Sequence, residues 1–148
     1  MIPTYTFTVW GTAAPQGSKR SLGNGVMVES SKRVRPWRQD VRFAALENRP
    51  GIWDMTSPMR VDLQFWFPRP ASHYGRRNGI SYLKVNAPLE PVSARLGDVD
   101  KLSRAVLDAL TDVAYLDDRQ VIKLQARKAY LLGPDAAPHT TITITPHV

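Results

Sequence analysis

The stretch Gly97 to Val121, GDVDKLSRAVLDALTDVAYLDDRQV, decides the fold, because it joins two pairs of acidic residues through a segment with helical periodicity. At about 100° per residue, its apolar side chains fall on one face of a helix. That face consists of Leu102, Ala105, Val106, Ala109, Leu110 and Val113. The opposite face carries Asp100, Arg104, Asp108 and Thr111. We therefore predict a helix with one buried face, capped by the Asp98 carboxylate and ending near Tyr115.

The two acid pairs predict a metal site. Asp98 and Asp100 open the stretch, and Asp117 and Asp118 close it in a turn before the next strand. Because the helix runs out and the strand runs back, the two pairs can come together, and converging carboxylates repel one another. A divalent cation relieves this repulsion. Oxygen ligands without His or Cys favour Mg²⁺ or Mn²⁺ over Zn²⁺, and such ions keep positions open for phosphate oxygens and an attacking water.

Composition limits the class of protein and of partner. The chain has 148 residues, no cysteine and a formal net charge of +7, so disulfides and thiolate metal sites are excluded. No apolar run approaches the length of about 20 residues that crosses a membrane, and the first residues do not resemble a signal peptide. We therefore expect a cytoplasmic protein that does not bind membranes. The positive charge fits a polyanionic partner, most simply nucleic acid, although general solubility is the alternative interpretation.

The remaining patterns predict an α+β fold in a single domain over residues 1–148, with the order β-α-β-α-β-β, two main helices and a mostly antiparallel or mixed sheet. Strands are expected at 5–10, 59–67, 120–132 and 140–145, with a short strand at 26–28. A helix should begin near Pro36 and bury Trp37, Val41, Ala44 and Ala45. Residues 13–25 and 71–96 are expected to form loops, and the final two strands to form a hairpin.

Basic residues concentrate in the first third of the chain. They are Lys19, Arg20, Lys32, Arg33, Arg35, Arg38 and Arg42. The later ones lie on or just before the first helix, where three of them share a face. A basic stripe is usually only solvated, but here it follows a basic loop, which favours contacts with nucleic-acid phosphates. Such contacts give little sequence specificity. We interpret Asp108 as structural, paired with Arg104 one helical turn earlier.

The acidic stretch resembles the RusA family of Holliday junction resolvases. The shared pattern is Asp-x-Asp, a leucine two residues later, a basic residue, Leu-Asp-Ala-Leu, and then Asp-Asp-x-Gln-Val at the start of a strand. The earlier segments PQGSKR and SKRVRPWR are also similar to those of phage-type members. The resemblance therefore covers about the full length of the chain.

What this resemblance implies is a small homodimeric endonuclease that resolves four-way DNA junctions by paired nicks with Mg²⁺ or Mn²⁺. Asp98, Asp100 and Asp118 match the family's metal-site aspartates, and Asp117 matches the neighbouring acid. Arg104 stands where a lysine is usual. Because its planar guanidinium holds a permanent charge, we expect it to stabilise charge on the phosphate and not to transfer protons.

Two other functions stay open. One is a non-catalytic module that only binds branched DNA, which would need the basic surface but not a complete carboxylate set. The other is a phosphohydrolase that uses Asp-x-Asp on small molecules, although such a motif usually ends a strand and here it opens a helix. The family resemblance also suggests a phage-encoded protein acting in the cytoplasm or nucleoid of a bacterial host.

Overall fold

The computed structural model describes residues 3–17, 19–23, 26–29 and 32–147, without the side chains of residues 19–22 and 26–29. The described residues form eight strands and two α-helices, which confirms the α+β class. In chain order they are β1 (Tyr5–Trp10), β2 (Lys19–Gly23), β3 (Val26–Glu29), α1 (Val34–Asn48), β4 (Met59–Phe67), β5 (Tyr74–Arg77), β6 (Ile80–Leu83), α2 (Val99–Leu110), β7 (Val121–Tyr130) and β8 (His139–Pro146).

The central sheet is mixed and has the strand order β1-β8-β4-β7. Strand β8 is antiparallel to both β1 and β4, whereas β7 is parallel to β4. The predicted hairpin between the final two strands is therefore wrong, since β8 lies between β1 and β4. The burial of side chains in β7 and β8 is consistent with this strand order. Ile142 and Ile144 in β8 are fully buried, as a central strand requires, while Ile122 and Leu124 in β7 are 56% and 44% exposed.

Both helices pack on one face of this sheet. Strand β4 alternates buried and half-buried residues along its whole length, and its buried set includes Val61, Phe65 and Phe67. The predicted apolar face of α2 is buried, as are Trp37, Val41 and Ala45 of α1. Each such large side chain stabilises the fold by about 1.5–3 kcal/mol through burial. This core holds α2, and with it the acidic stretch, against the sheet.

Helix α2 ends at Leu110, five residues before the predicted end near Tyr115. Asp112 adopts a left-handed backbone conformation with φ of 66°, which turns the chain back on itself. The Asp112 N–H donates to the Tyr115 carbonyl at 2.7 Å, and the Tyr115 hydroxyl donates to the Leu107 carbonyl at 2.6 Å. The apolar residues after the helix are thus buried by a compact turn and not by further helix.

Two segments expected to be loops contain hairpins. Within 13–25, strand β2 pairs with β3, so the predicted loop is wrong from Lys19 to Gly23. Within 71–96, strands β5 and β6 pair across Asn78 and Gly79, both at positive φ. Asn-Gly is the preferred pair for a two-residue hairpin turn, because both positions tolerate that conformation. The sequence therefore contained a signal for this second hairpin.

Candidate functional site

The first acid pair lies at the start of α2. Asp98 is the N-cap residue, but its side chain accepts no hydrogen bond from the helix, so the predicted capping role of its carboxylate is wrong. It lies instead 3.5 Å from the Lys101 ammonium. Asp100 follows in the first turn, and both carboxylates are exposed. Neither acid is needed for packing, which leaves both available to a ligand.

The position of this pair is fixed by close packing around Gly97. Gly97 has φ of 91°, and a Cβ at this position would meet Pro15 at 2.7 Å. The Lys128 ammonium in β7 donates to the Gly97 carbonyl at 3.0 Å. Only glycine fits both the backbone conformation and the space. The start of α2 is therefore attached to the segment after β1 and to the far end of β7.

The second acid group lies at the opposite end of α2. Asp117 begins a short 3₁₀ helix, Asp118–Gln120, and its carboxylate accepts the Arg119 N–H at 2.9 Å. Asp118 is exposed beside Asp117 and Asp108. Partial burial raises the pKa of Asp118, and repulsion from the carboxylates of Asp108 and Asp117 raises it further. The Asp108 and Asp117 carboxylates therefore disfavour the charged form of Asp118 at this end of the helix.

Asp108 belongs to this acid group, which the sequence pattern did not predict. It is half-buried and accepts a hydrogen bond from the Gln16 side-chain amide. The predicted Asp108–Arg104 ion pair is wrong, because Arg104 is in none of the ion pairs among the described residues. Its side chain lies against Gly17 instead: a Cβ built on Gly17 would be 3.1 Å from the Arg104 Nη1 atom. The helical wheel did place Asp108 beside Asp100 and Arg104, but contact with Asp118 depends on the turn after α2.

The two acid groups do not meet within one chain. Asp100 and Asp108 are eight residues apart on α2, which is about 12 Å along the helix axis. Asp118 contacts the Asp108 end. In the described part of the chain, no three His, Asp or Glu side chains are arranged to hold a metal ion. In a single copy of the chain, the first acid pair, Asp98 and Asp100, therefore does not come together with Asp117 and Asp118.

A basic cleft runs between the two helices and reaches this second acid group. It has a volume of about 780 Å³ and is lined by Gln16, Gly17, Val34, Arg35, Arg38, Gln39, Arg42, Arg104, Asp108 and Ala109. The ion pairs among the described residues include none of its four arginines. Arg42 donates to the Thr111 carbonyl at 2.9 Å and so links the helices. Within the described part of the chain, the cleft thus presents positive charge without an ion-pair partner beside Asp108.

The other predicted DNA-binding residues are distributed differently. Lys32 and Arg33 precede α1 and line separate cavities away from the basic cleft. The side chains of Lys19 and Arg20 lie outside the described part of the structure. Among the predicted DNA-binding residues whose side chains the structure describes, only Arg35, Arg38 and Arg42 share a surface with α2.

Comparison with known proteins gives this geometry a context. The family model for endodeoxyribonuclease RusA matches residues 10–145, which include the helices, both acid groups and the basic cleft. The chain belongs to the RusA family. It is also similar to an uncharacterized protein of Bacillus subtilis, YqaN, with 31% identity over 130 residues that cover 86% of this chain and 89% of that protein.

RusA membership makes this chain a nuclease of the hydrolase class. That class argues against a phosphohydrolase acting on small molecules. It fits a cleft whose arginines can contact a DNA backbone and whose acids lie at its end. Among the described helices, none is both long enough and apolar enough to cross a membrane.

The raised pKa of Asp118 predicts a measurable effect on stability. Partial burial, and then repulsion from Asp108 and Asp117, disfavours its charged form in the folded chain, so folding is disfavoured as pH rises above the ordinary value of 3.8. Asp118→Asn should therefore raise the free energy of unfolding at pH 7, by about 0.5 kcal/mol or less because solvent screens this exposed group. The gain should vanish below pH 3.8. Urea unfolding at several pH values measures it, and an equal gain at all pH values would exclude ionisation of Asp118 as the cause.

Proposed function

We propose that this protein is a structure-selective endodeoxyribonuclease that resolves four-way DNA junctions by paired hydrolysis of phosphodiester bonds. The observation that supports this most is the arginine-lined cleft that reaches Asp108, beside Asp118, in a chain of the RusA family. A groove of this kind binds phosphates through charge and leaves sequence largely unread. Its natural place of action is where DNA lies, in the cytoplasm or nucleoid of a bacterial or phage-infected cell.

The proposed cofactor is Mg²⁺, with Mn²⁺ as a substitute, and the donor chemistry fits it. The acids supply only carboxylate oxygens. Partial burial, and then repulsion from the Asp108 and Asp117 carboxylates, raises the pKa of Asp118, and a divalent cation would relieve that repulsion. Beside them, the Gln16 Oε1 atom is buried and has no hydrogen-bond partner in the described part of the chain. Asp98, Asp100 and Asp118 would hold the ion, with Asp117 beside them. When bound, it would activate a water and polarise the phosphate.

We further propose that a second copy of the chain completes the ligand set. Asp100 and Asp108 are about 12 Å apart along α2 and Asp118 lies beside Asp108, and no three acids of the described residues are arranged around one ion. In a two-fold symmetric dimer, the first acid pair of each copy can face the Asp118 of the other. The edge strand β7, with its exposed Ile122 and Leu124, begins beside Asp118 and offers an apolar surface for this contact.

The chain's own residues have distinct roles in this proposal. Arg35 and Arg38 hold the DNA backbone in the basic cleft, and Arg42 also keeps the two helices together through Thr111. Arg104 stabilises negative charge that develops on the phosphoryl oxygens, because its guanidinium stays charged at every relevant pH. Gln16 orients the carboxylate of Asp108. The negative charge of Asp108 in turn lies beside Asp118 and contributes to its raised pKa.

The test is a comparison of substrates and metals. The protein is incubated with a labelled four-way junction and with a linear duplex of matched sequence, with Mg²⁺ or with chelator. We expect paired nicks in the junction only, and only with Mg²⁺. Tight junction binding without cleavage in either Mg²⁺ or Mn²⁺ would instead support the non-catalytic DNA-binding module.

A further inference from the structure

A second basic cavity lies outside the cleft between the helices. It has a volume of about 570 Å³ and is lined by Thr12, Arg33, Pro68, Arg69, Pro70, Ser93, Arg95, Leu96 and Tyr130. We call it the Arg69 pocket. It forms where β4 and β7 end together, since Phe67 and Tyr130 are paired neighbours in these parallel strands. The segment just before α1 and the segment just before α2 close its sides.

Arg69 is held in place at the back of this pocket. Its guanidinium lies 4.4 Å from the centre of the Tyr130 ring, a cation–π distance. Its Nη1 atom donates to the Pro88 carbonyl at 2.6 Å and lies 3.2 Å from the His73 Nδ1 atom. These contacts fix the side chain and leave N–H groups on its other nitrogens. A positive charge fixed in this way binds a ligand with little loss of side-chain entropy.

The charge of the Arg69 pocket is not neutralised. Arg33 and Arg95 are exposed at its rim, and the ion pairs among the described residues involve neither of them, nor Arg69. Among the described residues, none that lines the pocket is acidic, whereas three of them carry hydroxyl groups: Thr12, Ser93 and Tyr130. Three guanidinium groups with hydroxyls around one concave surface match the chemistry of a phosphate group.

The pocket lies next to the first acid pair and far from the second. Arg95 precedes Asp98 by three residues, and Lys128 in β7 binds the intervening Gly97. Asp118 lies before the opposite end of β7, a strand of ten residues that is about 30 Å long. A phosphate in the Arg69 pocket would therefore flank Asp98 and Asp100, whereas the basic cleft reaches Asp108.

We propose that the Arg69 pocket binds a backbone phosphate of the DNA substrate on the Asp98 side, as a second anchoring point separate from the cleft between the helices. This inference rests on the proposed nuclease function. In the proposed dimer, each site would have the Arg69 pocket of one copy beside its first acid pair and the basic cleft of the other copy beside its Asp118. Two such anchoring points would fix how a DNA strand crosses the site, which a single basic patch cannot do. Free inorganic phosphate shares the same chemistry, so the experiment must separate the two sources.

The experiment measures junction affinity by fluorescence anisotropy in EDTA, where no cleavage occurs, over a series of salt concentrations. Arg33→Gln/Arg95→Gln removes two exposed charges of the pocket, Arg38→Gln removes one from the basic cleft, and Arg76→Gln/Arg77→Gln is a control that removes two exposed charges of β5. We expect the pocket variant to lower the slope of log affinity against log salt by about 0.9 for each phosphate that the protein no longer neutralises. The slope of the β5 control should not change. Calorimetry with inorganic phosphate runs beside it.

Each result decides between distinct explanations. A reduced slope in the pocket variant, with an unchanged control, supports the proposal. An unchanged slope in the pocket variant overturns it, and if Arg38→Gln still lowers the slope, the proposed function survives. Equal losses in the pocket variant and the control overturn it as well, since they show only general electrostatics. Loss of inorganic-phosphate binding alone assigns the pocket to a free anion and overturns the DNA contact. If the wild-type protein never cleaves junctions, the proposed function fails, yet the slopes still decide the pocket.

Discussion

Replacing Asp100 with asparagine should lower the rate of junction cleavage at least about 100-fold, the effect of losing one charge-stabilising group at a transition state. The affinity for the junction should stay close to that of the wild type. Asp100 is exposed in the first turn of α2 and belongs to none of the ion pairs among the described residues. The substitution therefore removes a proposed metal ligand without removing packing or a proposed phosphate contact. Single-turnover cleavage with Mg²⁺ and anisotropy in EDTA measure the two quantities.

Asp112→Asn is the matched control for this experiment. Asp112 is also exposed and close to α2, and asparagine tolerates its left-handed conformation. Cleavage by this variant should equal that of the wild type. Wild-type cleavage by Asp100→Asn would remove this residue from the metal site, and loss of junction binding would show that it contributes to the DNA surface instead.

An equal mixture of Asp100→Asn and Asp118→Asn chains should recover cleavage that neither variant shows alone. If the ligands come from two copies, a mixed dimer contains one site with both substitutions and one site with neither. Random pairing makes about half of the dimers mixed, so about one quarter of all sites are intact. Mixing the chains, allowing subunits to exchange and measuring nicking of a labelled junction gives the recovered fraction.

The control mixture combines Asp98→Asn with Asp100→Asn. These residues belong to the same acid pair, so every site in every dimer stays damaged and no recovery is expected. No recovery in the first mixture either would show that each copy assembles its own site, which would require α2 or the turn after it to move. Recovery in both mixtures would contradict the assignment of Asp98.

The acidic stretch shows how far sequence reasoning reaches. Helical periodicity correctly identified the buried face of α2, because that face is set by local spacing and by the demand to bury apolar residues. It extended the helix past Leu110, because Val113 and Tyr115 continue the apolar pattern although a turn at Asp112 buries them. Over so few residues, the spacing of apolar residues in a buried turn cannot be told from their spacing in a buried helix.

The acid group at Asp118 was only partly foreseeable. Asp117 and Asp118 were assigned from a motif, but the approach of Asp108 to Asp118 and of Gln16 to Asp108 depends on tertiary packing. The arginine stripe on α1 was visible on a helical wheel, whereas the position of Arg104 on the other side of the same cleft was not. The strand order of the sheet also depends on pairing between distant segments. A hairpin of the final two strands was the simplest local prediction, whereas β8 lies between β1 and β4.

The central position of β8 constrains when the sheet can fold during synthesis. Strands β1, β4 and β7 all precede β8 in the chain, yet β1 and β4 are joined only through it. On the ribosome, the edges of β1 and β4 stay unpaired until β8 has been synthesised, and contacts so distant in sequence form slowly. Synthesis must therefore pass through β8 before the sheet closes, so a nascent chain that lacks β8 cannot assemble this sheet.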